Sequence, residues 1–177
     1  MIFESCYWKD PLLDLVKEIE KWESTLSISE EGFANIERQL MMGFYSVRKL
    51  AEAKKLSDSV AEENLNCKSF QNVKDVNLLN WHRINELYDL KAYSNENLKI
   101  SFVFNQFIHS YVFILSEDEF SYFEGVYFCS DRYRNNKLFY ISSLELKRIF
   151  TLVGNNYPSS SKKQYNRKIK DYDITQA

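Results

Sequence analysis

Two histidines, His82 and His109, are the side chains of this 177-residue sequence whose ordinary titration range lies near neutral pH. Acid–base chemistry at that pH is therefore narrowed to their surroundings. His82 stands in Asn80-Trp81-His82-Arg83, at the start of a short helical pattern, where an imidazole reads as a surface or interface residue. His109 closes the stretch Asn97–Ser110, which is apolar nearly all round except that Ser101, Asn105 and His109 recur every fourth residue. On a helix they stack as a narrow polar line. A polar group buried among aromatics without a hydrogen bond costs about 1–3 kcal/mol, so the line is expected to be a buried hydrogen-bond network or a reactive site.

Other chemistries find less material. Cys6, Cys67 and Cys129 are widely spaced and form no CxxC pair, so neither a disulfide framework nor a zinc ligand set is expected, and a reducing cytosol fits. No recognised elbow surrounds any Ser or Cys. Four scattered glycines make no phosphate-cradling loop. The carboxylate runs Glu30-Glu31, Glu62-Glu63 and Glu117-Asp118-Glu119 stand where helix starts and turns already account for them. Neither a cofactor nor a metal is expected.

The run Asn105-Gln106-Phe107-Ile108-His109 resembles the end of the HEPN signature, in which an Arg is followed by a polar residue, commonly Asn, then three positions and a His. The resemblance implies a late helix of an α-helical bundle. It also implies kinship with metal-independent RNases of toxin–antitoxin, abortive-infection and CRISPR systems, or with their non-catalytic relatives. Asn105 matches the polar position and His109 the histidine, whereas Phe104 occupies the Arg position. Metal-free RNA cleavage needs a proton-moving group and a cation that stabilises the charged phosphorane. Histidine can do the first and phenylalanine cannot do the second, so activity would require another cation, with Arg48 and Arg83 as candidates.

The elements that position these residues read as an α+β fold: a helical bundle, a small antiparallel β-meander of about three strands, and a C-terminal helix. Asp10-Pro11 starts a first helix, with Leu12, Leu15, Val16, Ile19 and Trp22 on one face, ending near Thr25. Ser29-Glu30-Glu31 opens a second, carrying Phe33, Ile36, Leu40, Phe44, Val47 and Leu50 to about Ser57. Gly43, mid-helix, would allow close approach of another helix, though it also reads as merely tolerated. Residues 57–74 read as a polar connector, followed by a short helix after Asn77 or Asn80 and a polar break from Asp89 to Asn95. Tyr111–Leu115, Phe123–Cys129 and Lys137–Ser142 are strands. Ser143 caps a last helix, Leu144–Val153, closed by Gly154.

Residues 1–157 are expected to form a single α+β domain and 158–177 a flexible, polar, basic tail. Its Lys162, Lys163, Arg167, Lys168 and Lys170 are candidate nucleic-acid contacts. The net charge of −2 gives no global attraction to nucleic acid. The amino terminus lacks a signal-peptide pattern and the longest apolar run is far below the roughly 20 residues that span a bilayer, so a soluble, cytoplasmic protein without membrane contact is expected. Aromatics such as Tyr7, Trp8, Trp81, Tyr88, Tyr122, Tyr133 and Tyr157 favour interfaces. The expected function is a non-catalytic interaction module or subunit with a protein partner or a second copy, of the bacterial-defence or toxin–antitoxin kind that the resemblance implies. The alternative is a HEPN-like metal-independent RNase or RNA-binding protein using His109.

Overall fold

The computed structural model describes residues 2–177. Helix α1 (Cys6–Trp22) begins before the predicted Asp10-Pro11 start and carries Pro11 inside it. Proline lacks the N–H that would bond the Tyr7 carbonyl. Tyr7 lies in the first turn and is 78% exposed, where a missing helix bond is least costly. Helix α2 (Glu30–Glu52) is capped by the Ser29 hydroxyl, which accepts the Gly32 N–H at 3.1 Å. Ile36, Leu40, Phe44, Val47 and Leu50 are buried as the spacing predicts. The helix stops short of Ser57 because Lys54 takes a left-handed φ of 54°, while the Lys54 and Lys55 amides bond back to the Ala51 and Leu50 carbonyls. A Cβ on Gly43 would lie 2.7 Å from Leu15 Cδ2 and 3.1 Å from Phe150, so this glycine does permit a close helix approach.

After the single turn α3 (Asp58–Ala61), the predicted connector contains a nine-residue strand, β1 (Asn64–Asn72). The turn α4 (Ile84–Leu87) leads into β2 (Tyr88–Lys99), where a polar break and the start of the central helix are expected. Helix α5 (Ile100–Ile108) is accordingly shorter than Asn97–Ser110. Strands β3 (Ser110–Glu117), β4 (Phe123–Ser130) and β5 (Lys137–Ser142) fall as predicted. All five form one antiparallel sheet of order β2-β1-β5-β4-β3, five strands where about three are expected. Leu65, Cys67 and Ser69 alternate inward on β1, but the polar residues between them mask the alternation. β2 is an edge strand, exposed along most of its length, so its composition is that of a loop.

Helix α6 (Ser143–Gly154) is capped by Ser142, one residue before the predicted cap. The long helices share one side of the sheet: α5 contacts β4 and α2, and α6 contacts β4, β5 and α1. Phe107 of α5 joins the layers, stacking on Phe44 at 4.1 Å and meeting Phe128 of β4 at 4.4 Å. Tyr127 and Tyr140, which alternate with Phe128 and Phe139, pack together at 5.0 Å on the opposite face.

The predicted flexible tail instead pairs as a hairpin of β6 (Ser161–Asn166) and β7 (Asp171–Gln176). Tyr165 and Tyr172 meet edge to face at 5.3 Å across it. The Gln176 side chain donates to the Lys54 carbonyl at 2.9 Å and its backbone N–H to Asp58 at 3.2 Å. Pairing of this kind is invisible in a segment whose side chains are almost all polar and exposed.

Two polar side chains tie the layers together. Glu145 accepts the Asn66 N–H at 2.9 Å and two guanidinium bonds from Arg148, at 2.9 and 2.8 Å, while Arg148 also reaches Glu63 and the Asn64 carbonyl. Burial pushes the Glu145 carboxyl up, but the Arg148 and Asn66 hydrogen bonds outweigh it, leaving it below its ordinary value of 4.5. A lowered carboxyl stabilises the fold above its unfolded pKa and loses that contribution as pH falls through the folded one. Between about pH 5 and pH 3, Glu145→Gln should therefore show a shallower fall in Tm than the unsubstituted protein; parallel curves in a calorimetric series would refute the assignment.

The second is Lys9, fully buried at 0% exposure. Its Nζ donates to the Lys55 carbonyl at 3.0 Å and to the Asn156 carbonyl, and lies 4.0 Å from the centre of the Tyr157 ring. Burial and the neighbouring Lys55 charge push its pKa down. The ammonium sits just past the ends of α2 and α6, where helix carbonyls favour a cation. Lys9→Met leaves two part-buried carbonyls without the ammonium and should cost about 2–4 kcal/mol. Urea unfolding measures it, and a loss below about 1 kcal/mol would show that packing of the stem alone suffices.

Candidate functional site

Helix α5 buries Ile100, Val103, Phe104, Gln106 and Phe107. That leaves the opposite side to solvent, so Ser101, Asn105 and His109 are all exposed and the expected buried network is not what the line forms. The four-residue spacing does put them on one face. That face is exposed because the helix is only nine residues long and presses its apolar side into Phe44 and Phe128. The polar side chain that α5 does bury is Gln106, whose Oε1 accepts the Ser130 N–H at 3.0 Å and so fastens the helix to the end of β4.

His109 is the C-cap of α5, with its N–H on the Asn105 carbonyl at 3.1 Å. Its own carbonyl accepts the Asp131 N–H at 3.3 Å, which brings the β4–β5 loop against the helix end. Between them lies a cleft of about 430 Å3 whose lining includes Asn105, Gln106, His109, Asp131, Arg132 and Tyr133. Phe102 and Tyr133 meet edge to face at 5.3 Å in its wall. Arg134 pairs with Asp131 at 3.3 Å and lies over the Tyr111 ring at 4.2 Å. Tyr111 holds its hydroxyl buried and without a hydrogen-bond partner. The cleft thus offers a solvent-facing imidazole, a guanidinium able to grip an oxyanion through two N–H groups, and an amide.

Neither of the cations expected beside His109 is there. Arg48 bonds Glu52 at 2.6 Å on α2, and Arg83 stands at the N-cap of α4; the cleft is lined by neither. The arginine that lines the cleft with His109 is Arg132, and no sequence spacing pointed to it, because β4 and the Gln106 bond bring its loop to the end of α5 from 23 residues away. His82 is exposed and meets Trp81 edge to face at 5.8 Å. Lys162 and Lys163 lie on β6, and Arg167, Lys168 and Lys170 in or beside the turn to β7, apart from this cleft. Of the aromatics expected at interfaces, Tyr88 is buried, its hydroxyl donating to the Arg134 carbonyl at 2.6 Å.

Among the described residues, no three His, Cys, Asp or Glu side chains gather as a metal-binding group, and no helix is long and apolar enough to cross a membrane. Compared with protein-family models, curated proteins and solved structures, the chain matches none. Burial pushes the Cys67 thiol up to about 12 and the Cys129 thiol up to about 11. A thiolate is the reactive form, so these two are packing residues. A thiol reagent at neutral pH should modify Cys6, which is half-buried, in the native protein and reach the other two only on unfolding. Rapid native labelling of Cys67 or Cys129 would contradict their place in the core.

Proposed function

We propose that this protein binds single-stranded RNA, with a phosphodiester seated in the cleft between α5 and the β4–β5 loop. The observation that carries the reading is the meeting of Arg132 with His109 and Asn105. It supplies from another element the cation that Phe104 withholds from the signature-like run. In this reading Arg132 grips the phosphate oxygens, Asn105 donates its amide, and His109 donates a ring N–H. Phe102 and Tyr133 present aromatic surface on which a base can stack. Transesterification needs a base at the 2′-hydroxyl and an acid at the leaving oxygen. One imidazole lines the cleft, so the reading is of a binding protein; in its metal-independent RNase form His109 carries one of the two proton transfers and solvent the other.

A second reading, an interaction module for a protein partner, is favoured by the apolar groove of about 370 Å3 between α1 and α2. Leu12 and Leu15 form its floor, and Tyr7 and Met42 stand at its rim, 78% and 55% exposed. A bacterial defence or toxin–antitoxin setting suits either reading.

Fluorescence anisotropy with a labelled single-stranded RNA decides between them. Binding should weaken with salt, and Arg132→Ala should lower affinity about tenfold and reduce the salt slope by about 0.7. His109→Ala should weaken binding too, and in chelator should abolish any cleavage that the unsubstituted protein shows. No binding at low salt, or binding indifferent to both substitutions, would sink the RNA reading and leave the groove.

A further inference from the structure

Strand β3 stands at one edge of the sheet, and β4 is its one strand neighbour among the described residues. The outward row of β3 backbone groups is therefore a template for another strand. The two edges are built differently. β2 carries Asp89, Lys91, Glu96 and Lys99 along its length, the kind of charge that blunts an edge. β3 reads Ser-Tyr-Val-Phe-Ile-Leu-Ser before its first charge, Glu117, and holds neither proline nor glycine. Its register against β4 is uninterrupted from Val112 to Ser116, so the template is straight over that span.

We propose that two copies of this chain join β3 to β3 antiparallel across a twofold axis, extending the five-stranded sheet into one of ten strands. The charges at the two ends of the strand choose this occupant. At its start lie Arg134, stacked on Tyr111 at 4.2 Å and paired with Asp131 at 3.3 Å, and Arg132, two cations against one carboxylate. At its end lie Glu117, Asp118 and Glu119, all exposed. Antiparallel pairing of two identical strands sets the basic end of each against the acidic end of the other, whereas parallel pairing would set like charges together. A twofold axis perpendicular to the sheet keeps both helix layers on one side and requires facing residues to share a face. With Ile114 opposite its own copy, Phe113 faces Leu115 and Val112 faces Ser116; outside that span, where the register shifts, the end that carries Tyr111 and Arg134 lies against the end that carries Glu117. Such an isologous contact closes at two copies.

The inference is independent of RNA binding and is tested without nucleic acid. Sedimentation equilibrium of the full chain across the micromolar range should give a monomer–dimer equilibrium. Ile114→Lys places two ammonium groups opposite each other at the axis and should give a monomer with an unchanged far-ultraviolet spectrum. Glu117→Lys, at an exposed site, should raise the dimer Kd about tenfold while leaving the melt unaltered. Hydrogen exchange on the unsubstituted protein needs no variant: β3 amides should gain protection as concentration rises, and β2 amides should not. A monomer at every concentration, assembly beyond two copies, a dimer that survives both substitutions, or concentration-dependent protection on β2 in place of β3 would each overturn the proposal.

Discussion

The constraint on which the helical layer rests is the burial of the Lys9 ammonium. A cation with no exposure is tolerated only where carbonyl oxygens converge on it, and here two chain reversals supply them. α2 ends in a left-handed turn at Lys54 that leaves the Lys55 carbonyl facing α1, and the chain leaving α6 presents the Asn156 carbonyl. Asn156 also accepts the Ser57 N–H at 2.7 Å and donates to the Ser57 hydroxyl at 2.9 Å. One amine and one amide thus fix the starts of α1 and α3 and the ends of α2 and α6 relative to one another.

That arrangement propagates to the cleft. With α1, α2 and α6 held, Gly43 brings Leu15 and Phe150 close to the α2 backbone, and Phe44 beside it stacks on Phe107. Phe107 sets the roll of α5, so Gln106 points at Ser130 while Asn105 and His109 point at solvent. The Gln106 bond then delivers the loop that carries Arg132. The chemistry of the cleft is accordingly second to packing: its members come from a helix end and a loop, and the aromatic contacts of Phe107 and Phe102 on that helix set where they meet.

The strand that follows His109 connects this cleft to the sheet edge. The cations flanking the cleft, Arg132 and Arg134, stand at the start of β3, and the acidic turn stands at its end. A single short strand therefore has its neutral span bracketed by opposite charge. The hairpin of β6 and β7, fastened through Gln176 to Lys54 and Asp58, holds the other concentration of basic residues at the end of α2.

By itself the sequence determined the elements whose signal is local. Helical spacing from Leu12 to Trp22 and from Ile36 to Leu50, β-branched and aromatic runs at β3, β4 and β5, and the Ser-capped final helix are all set by residues within a few positions of one another. It also placed Ser101, Asn105 and His109 on one face. The tertiary structure decided everything that depends on a distant partner: that Asn64–Asn72 and Tyr88–Lys99 pair as strands, that the tail closes into a hairpin, that Lys9 is buried, and that Arg132 rather than Arg48 or Arg83 lines the cleft with His109. Periodicity records which side of an element is apolar. It carries no record of what packs against that side, nor of which polar side remains in water, and those two facts convert a polar line on a short helix into one wall of a cleft.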